Sequence, residues 1–291
     1  MAQTMKKIKS RSMMQETMRR LLRNKGAIFG MVFLITLVIA AAISPFIFDY
    51  EVDVIGQNMS ERLMAPCGAH WFGTDEFGRD LFARVVYGAR YSLIIGVGSV
   101  MLGLVVGMIL GSLAGFYGGV VDSVIMRGVD IFYSIPNIMT AIVIVSLLGT
   151  STVNLMIALA FSCASSFSRI VRASVMTIRD QEYVESSYAM GLPTWKIIAK
   201  HIIPNCLSPI IVQITLLIGT TIISASSLSF LGIGVPAPAP EWGALLSAGR
   251  GHIRDASYMC IIPGLAIMMT VLALNLLGDG LRDALDPKMK K

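Results

Sequence analysis

EYVESSYAMGLPTWKIIAKHIIP, residues 182–204, is a polar stretch between two long apolar runs. Gly191 is of the type that ends a helix in the left-handed conformation, and Pro193 suits the first turn of a following helix. The apolar residues after that proline recur at the spacing of one helical face: Trp195, Ile198, Ala199 and Ile202. Pro204 lacks an amide hydrogen and favours a break before the next apolar run. The stretch predicts two short helices with a turn at a membrane surface, although a plain connecting loop would also fit.

The composition is that of a membrane protein. Of the 291 residues, 55% are hydrophobic and 14% are charged, whereas about a quarter of the residues in a soluble domain are charged. Apolar runs of about 20 residues are long enough to cross the hydrocarbon layer. The cysteines are scattered without a CxxC motif, which indicates neither a disulfide framework nor a zinc site: Cys67, Cys163, Cys206 and Cys260.

Positive charge sets the expected orientation. Residues 1–26 are strongly basic with a single acid, Glu16, so the positive-inside rule places this tail in the cytoplasm. Its position beside a span argues against nucleic-acid binding. An interfacial helix is expected over 116–130, and the stretch 182–204 and both termini are expected in the cytoplasm. The fold class is an all-α membrane protein with six transmembrane helices, at about 27–48, 91–115, 131–148, 153–175, 206–232 and 258–277.

Small residues recur at every fourth position of the second span. We call them the small-residue row: Ser99, Gly103, Gly107, Gly111, Gly115 and Gly119. Such a row lets another helix approach closely where lipid offers no hydrophobic drive for association. A glycine-rich span facing lipid is the alternative. Two other spans have hydroxyl-rich halves, the inner half of the fourth and the outer half of the fifth: Ser162, Ser165, Ser166 and Ser168, and Ser224, Ser226, Ser227 and Ser229.

The sequence lacks the residue patterns of nucleotide-binding, catalytic and metal sites. The sequence has no GxxxxGK[ST] phosphate loop and no Ser-His-Asp or Cys-His arrangement in a credible setting, so no catalytic residue is predicted. His70 and His252 both lie in outer loops, but two distant histidines are usually surface residues, so no metal site is predicted. Acids are almost missing from the middle of the spans, which argues against a proton- or sodium-coupled carrier.

Two groups of residues resemble a known family. Glu185, Ser186, Ser187, Gly191 and Pro204 resemble the cytoplasmic "EAA" loop of ABC-importer permeases, with serines replacing the two alanines. HWFGTDEFGRD, residues 70–80, resembles the outer-loop signature of the C-type subunit of dipeptide, oligopeptide and nickel importers, through Gly73, Thr74, Asp75, Gly78, Arg79 and Asp80. Further resemblance covers GARYSL (88–93), LSFLGIGV (228–235), EWG (241–243) and LGDGLRDALDP (277–287).

The resemblance implies a type I ABC-importer transmembrane domain and a division of the chain. The parts are a basic tail (1–26), a subfamily-specific span and outer loop (27–89), the transmembrane domain (90–279) with its coupling loop (180–205), and a cytoplasmic tail (280–291). Glu185 would anchor the coupling loop, and Gly191 would make its turn. The helix around Ser186 would dock in a groove on an ATPase subunit. Gly103, Gly107, Gly111 and Gly115 would pack the bundle.

The implied partners are a homologous B-type permease subunit, two ABC ATPase subunits, an extracytoplasmic solute-binding protein and membrane lipid. ATP and Mg²⁺ would bind the ATPase subunits, so no cofactor is expected in this chain, which would be non-catalytic in the cell inner membrane. The expected function is uptake of dipeptides and oligopeptides. Nickel, a metal–metallophore complex or glutathione is the alternative cargo, and a secondary carrier, a channel or a membrane enzyme is the alternative class.

Overall fold

A computed structural model describes residues 13–285. The predicted tails, 1–26 and 280–291, therefore lie partly outside the described residues. Within residues 13–285 the regular structure is helical, apart from one isolated β-bridge between Thr74 and Asp80. The α-helices are α1 (Met13–Leu21), α2 (Lys25–Ile47), α3 (Leu81–Tyr117), α4 (Gly119–Ser134), α5 (Asn137–Leu148), α6 (Thr152–Arg179), α7 (Glu182–Ala189), α8 (Thr194–Ile197), α9 (Leu207–Phe230), α10 (Trp242–Gly249) and α11 (Tyr258–Leu285). Short π- and 3₁₀-helices cover Tyr50–Val54, Met59–Glu61, Ile198–Ile202, Ile203–Cys206 and Arg250–His252.

Five helical segments of the described chain are long and apolar enough to cross a membrane. They are α2, α3, α6, α11 and the continuous helical stretch Thr194–Phe230. The helices α4 and α5 would make a sixth crossing only as a pair, bent by 90° at the break between them. The span predicted over 131–148 is therefore not one continuous helix, because it takes in the end of α4, the break and α5. Pro136 disfavours the α conformation at Ile135, which is extended with ψ 131°.

The second span is longer than predicted. Asp80 caps α3 by accepting a hydrogen bond from Ala83 N at 2.9 Å, and α3 runs without a break to Tyr117. Residues 81–89, which were predicted to belong to the outer loop, are therefore helical. Because α3 has 37 residues, its length of about 55 Å exceeds the hydrocarbon thickness of about 30 Å, so part of this helix projects beyond the hydrocarbon layer.

The small-residue row fixes how α3 packs on α6. An added methyl group on Gly103 would lie 2.5 Å from Cys163 Cβ, and one on Gly111 would lie 2.5 Å from the Ser168 carbonyl oxygen. Gly107 and Gly115 approach α6 in the same way. The row ends at Gly115, because Gly119 begins α4 and has no atom within 4 Å of the position of an added Cβ.

The main core cluster gathers around this pair of helices. It joins α3 and α6 to α9 and to the segment between α6 and α9, through buried residues such as Phe116, Phe167, Val171 and Ile222. On the other side, α2 packs against α11, where Gly30 lies against the Ala273 backbone. The segment that follows α6 is thus continuous with the hydrophobic core of the bundle.

Candidate functional site

The turn between α7 and α8 is closed by Gly191. The Leu192 N–H donates to Ser187 O at 3.3 Å and the Gly191 N–H donates to Tyr188 O at 2.8 Å, which is the Schellman arrangement. Gly191 has φ +74°, in the left-handed region, and no atom lies within 4 Å of an added Cβ. A side chain there would therefore strain the backbone rather than clash. Pro193 caps α8 immediately before its first residue, close to the predicted position.

One side of the segment 182–204 is anchored in the bundle. Val184, Ile197 and Ile202 are fully buried and belong to the core cluster. The ring of Tyr188 stacks on Phe116 at the end of α3, with centroids 5.9 Å apart. Ser187 is also buried, and its hydroxyl donates to Tyr183 O at 2.8 Å. A displacement of this segment would therefore move the ends of α3 and α6 with it.

The predicted apolar face after Pro193 is partly wrong. Trp195 is 66% exposed and Ala199 is exposed, while Ile197, which lies outside the predicted set, is buried. A π-helix over Ile198–Ile202 explains the difference, because its i→i+5 hydrogen bonds place Ile197 and Ile202 on one side. The 3.6-residue period assumed for an α-helix does not apply there.

Pro204 does not break the helix as predicted. It lies at the start of a 3₁₀ turn over Ile203–Cys206, and the helical path continues into α9. Local changes of helical type accommodate the missing N–H of a proline. The Asn205 side-chain amide donates to His201 O at 2.7 Å and satisfies a carbonyl group beside this irregularity.

The segment also exposes several large apolar side chains. Tyr183, Tyr188, Met190 and Trp195 are 43%, 49%, 72% and 66% exposed. Large exposed apolar side chains among polar residues are a common feature of protein–protein contacts. Tyr183, Tyr188 and Met190 were not among the residues predicted from the sequence. Tyr183 and Tyr188 lie on opposite flanks of the buried positions Val184 and Ser187 of α7, so helical spacing alone does not single them out.

Glu185 and Ser186 lie on the exposed side of α7. The Ser186 hydroxyl donates to Glu182 O at 2.8 Å. Within residues 13–285 the Glu185 carboxylate makes no hydrogen bond or ion pair, so its available partners are solvent or another molecule. Burial raises the pKa of Tyr188, and the neighbouring Tyr117 adds to the effect.

The outer-loop motif is built around a buried carboxylate. Asp75 is 3% exposed and its Oδ2 pairs with Arg79 Nε at 2.7 Å and with Arg84 Nη1 at 2.8 Å. Its Oδ1 accepts backbone hydrogen bonds from Phe77 at 2.9 Å and Arg79 at 3.0 Å. Asp75 and Arg79 both belong to the motif quoted from the sequence, whereas Arg84, in the first turn of α3, lies outside that motif and completes the cluster.

Glycines and a threonine shape the rest of the motif. Gly73 and Gly78 have positive φ, and a Cβ on Gly73 would meet Met64 O at 2.6 Å. The Thr74 hydroxyl accepts a hydrogen bond from Met64 N at 2.8 Å and donates to Glu61 O. Asp80 lies beside His70 rather than in the arginine cluster, with 2.7 Å between Oδ2 and Nδ1.

His70 and His252 make separate contacts. His70 contacts Asp80 and also Glu61, at 3.4 Å, and the Asp80 hydrogen bond is the main cause that raises its pKa. His252 contacts Glu76, with 3.2 Å between Nε2 and Oε2. The motif therefore ties the outer loop to the start of α3 and to the loop before α11.

Comparison with protein families gives two matches. The family described as binding-protein-dependent transport system inner membrane component matches residues 107–291. A second family, the N-terminal TM domain of oligopeptide transport permease C, matches residues 12–66.

Individual relatives cover nearly the whole chain. A dipeptide transport system permease protein DppC of Alkalihalophilus pseudofirmus is 45% identical over 95% of this chain and 90% of its own. A glutathione transport system permease protein GsiD of Pectobacterium atrosepticum is 42% identical over 95% of this chain and 91% of its own. A di/tripeptide transport system permease protein DppC of Pseudomonas aeruginosa is 40% identical over 96% of this chain and 93% of its own.

Among solved structures, the chain resembles one of the MetNI methionine ABC transporter in inward-facing conformations. The TM-score is 0.57 at 20% identity, over 70% of this chain and 96% of the other. This likeness shows the fold, that of a type I importer transmembrane subunit.

Proposed function

The chain belongs to the family of binding-protein-dependent transport system inner membrane components, and we propose that it forms half of the transmembrane pathway of an ATP-driven importer of dipeptides and short oligopeptides. In this role the chain is non-catalytic. ATP and Mg²⁺ bind to two partner ATPase subunits, and a homologous B-type permease forms the other half of the pathway. A solute-binding protein delivers cargo from outside, and lipid surrounds the spans.

The observation that carries this proposal is the two-sided character of the segment 182–204. Its inner side is packed into the core around Phe116 and Val175, while its outer side exposes Met190 and Trp195. A groove on an ATPase subunit would bury this apolar surface. Because the segment is seated on α3 and α6, closure of the ATPase pair would tilt those helices rather than deform a loop.

Each matched residue then has a specific role. Glu185 and Ser186 contact the ATPase from the exposed side of α7, and Ser187 seats α7 against the bundle. Gly191 sets the angle between α7 and α8, while Pro204 begins the return into the membrane. The α3–α6 contact through Gly103, Gly107, Gly111 and Gly115 makes the two helices move as one body.

Orientation follows from the same assignment. The segment 182–204, α1 and the end of α11 lie in the cytoplasm, in agreement with the basic character of residues 1–26. The motif Gly73, Thr74, Asp75, Gly78, Arg79 and Asp80 lies outside, where it braces the loop before α3 at the face that receives the binding protein.

The proposed cargo rests on the named functions of the relatives. Two of those described above are permeases for dipeptides or for di- and tripeptides. The glutathione permease at 42% identity makes glutathione, itself a modified tripeptide, the second candidate. Both are small solutes with amide bonds and free carboxylates.

The test is reconstitution of the complex in proteoliposomes with one component omitted at a time. The liposomes contain this chain, the B-type permease and the two ATPases, with the binding protein outside and ATP inside. A labelled dipeptide should accumulate only in the full mixture, and glutathione should compete only if the second candidate is right. Accumulation by this chain alone, without nucleotide, would contradict the proposed function.

A further inference from the structure

A small polar cavity lies among α5, α6 and α9. Its volume is about 60 Å³, which is room for a few water molecules. Its polar lining comes from all three helices and consists of Asn137, Ser162, Ser166, Thr220, Thr221 and Ser224. We call this set the hydroxyl wall. None of the residues that line the cavity is charged.

The cavity lies near the middle of the membrane thickness. Leu155 near the start of α6 and Leu228 near the end of α9 share one core cluster, so these helix ends are level. Ser162 lies ten residues from the start of α6 and Thr220 ten residues from the end of α9, which is about 15 Å along each helix. Since the hydrocarbon layer is about 30 Å thick, both hydroxyls lie near its midplane.

The break between α4 and α5 reaches the same depth. Helix α5 has 12 residues, so its N-terminus lies about 18 Å from its other end, still within the hydrocarbon layer. Asn137 and Ile138 of its first turn line the cavity, and no side chain caps this helix start. Irregular backbone at membrane depth is tolerated where it is buried in protein or lines a water-filled space.

The hydroxyl groups of the wall can accept hydrogen bonds from a solute. The Ser224 hydroxyl donates to Thr220 O at 3.0 Å and the Thr220 hydroxyl donates to Leu217 O at 3.0 Å. Their oxygen lone pairs remain free as acceptors. Other serines of the same two helices, such as Ser168 and Ser229, are buried in the protein and do not line the cavity. The serines of the hydroxyl-rich parts of α6 and α9 thus have two roles: some pack between helices and others line the cavity.

We propose that the hydroxyl wall is this chain's surface along the translocation pathway, where it hydrogen-bonds the main-chain amides of a peptide in transit. This inference rests on the proposed import of peptides. Because the wall carries no charge, it binds the groups that all peptides share and does not select among side-chain charges. That choice remains with the binding protein.

The first test introduces charge into the wall. In the reconstituted complex, Ser224→Asp should raise the ratio of uptake rates for a lysine-containing over a glutamate-containing dipeptide by about tenfold. Ser224→Lys should lower the same ratio, and the neutral Ser224→Asn should leave it unchanged. A ratio that stays constant in all three variants would overturn the inference, because a residue that only packs helices changes both rates equally.

The second test keeps the inference testable if the charged Ser224 variants fail to assemble. Single cysteines replace Ser162, Ser224 and, as the control, Ile223, which is 46% exposed and lines a different pocket. In a complex free of other cysteines, a membrane-impermeant thiol reagent should label the first two positions, and transported dipeptide should slow this labelling. Labelling of Ile223→Cys alone, or no protection by peptide, would overturn the inference.

The two proposals fail in different ways. If the wild-type complex accumulates no dipeptide, the proposed function fails. If it accumulates dipeptide but the uptake ratio and the labelling pattern do not respond, only the role of the hydroxyl wall fails.

Discussion

Replacing Gly107 by alanine should force α3 and α6 apart. The added methyl group would lie 2.9 Å from Ala164 O and 3.0 Å from Ser168 N, and it would overlap Phe167 Cβ. Since carbon atoms pack at about 3.5–4.0 Å, the two helices must separate by roughly 1 Å. Overpacking of this kind costs about 1–3 kcal/mol, which exceeds the gain of about 1 kcal/mol when alanine replaces glycine in a helix.

The assay is unfolding in mixed micelles of mild detergent and SDS, followed by the loss of helix signal. The matched control is Gly98→Ala on the same helix, where the added methyl group meets only the flexible end of Met156; it should be neutral or slightly stabilising. The double variant Gly103→Ala/Gly107→Ala should lose less stability than the sum of the losses in the two single variants, because one separation of α3 from α6 relieves both contacts. Equal stability of Gly107→Ala and Gly98→Ala would refute the packing argument.

Three further predictions concern the loops. Gly191→Val should lower transport strongly while leaving membrane insertion intact, because the side chain strains a backbone at φ +74°; Gly149→Val, at φ +87° in the turn between α5 and α6, should carry similar strain and keep most transport activity. Asp75→Asn should destabilise the protein by about 3–5 kcal/mol, because two buried arginines lose their charge partner, and a thermal-unfolding scan of the purified chain would detect it. The raised pKa of His70 means that its contribution to stability is complete below about pH 6.5 and is lost as pH rises through the raised value; His70→Gln should remove this part of the pH dependence, and an unchanged profile would show that the ion pairs contribute nothing.

Much of the architecture could be predicted because membranes impose strong local rules. The spans follow from runs of apolar residues long enough to cross lipid, and the packing face of α3 follows from its four-residue repeat of small side chains. The turn at Gly191 follows from the preference of glycine for positive φ. Each of these features is determined by residues close together in sequence.

The errors have a different origin. Pro136 bends its span by 90°, whereas Pro204 is absorbed into a continuous helix by π and 3₁₀ turns, and no local rule separates the two cases. Arg84 pairs with Asp75 from the first turn of α3. The apolar pattern predicted the start of this helix at about residue 91, so Arg84 was assigned to the loop. The hydroxyl wall unites side chains more than 80 positions apart, such as Asn137 and Ser224, which only tertiary packing brings together.

The most direct test of the account asks what the segment 182–204 touches in the assembled transporter. A single cysteine replaces Met190, which is 72% exposed, in a chain from which the native cysteines have been removed. A second chain carries Val52→Cys as the control; Val52 is 70% exposed and lies between α2 and α3, in the loop that the proposal places outside. A short thiol cross-linker should join Met190→Cys to an ATPase subunit, with a yield that changes when ATP binds, and should leave Val52→Cys unjoined to it. Labelling of Met190→Cys from outside intact cells, or cross-linking to the solute-binding protein, would contradict the account.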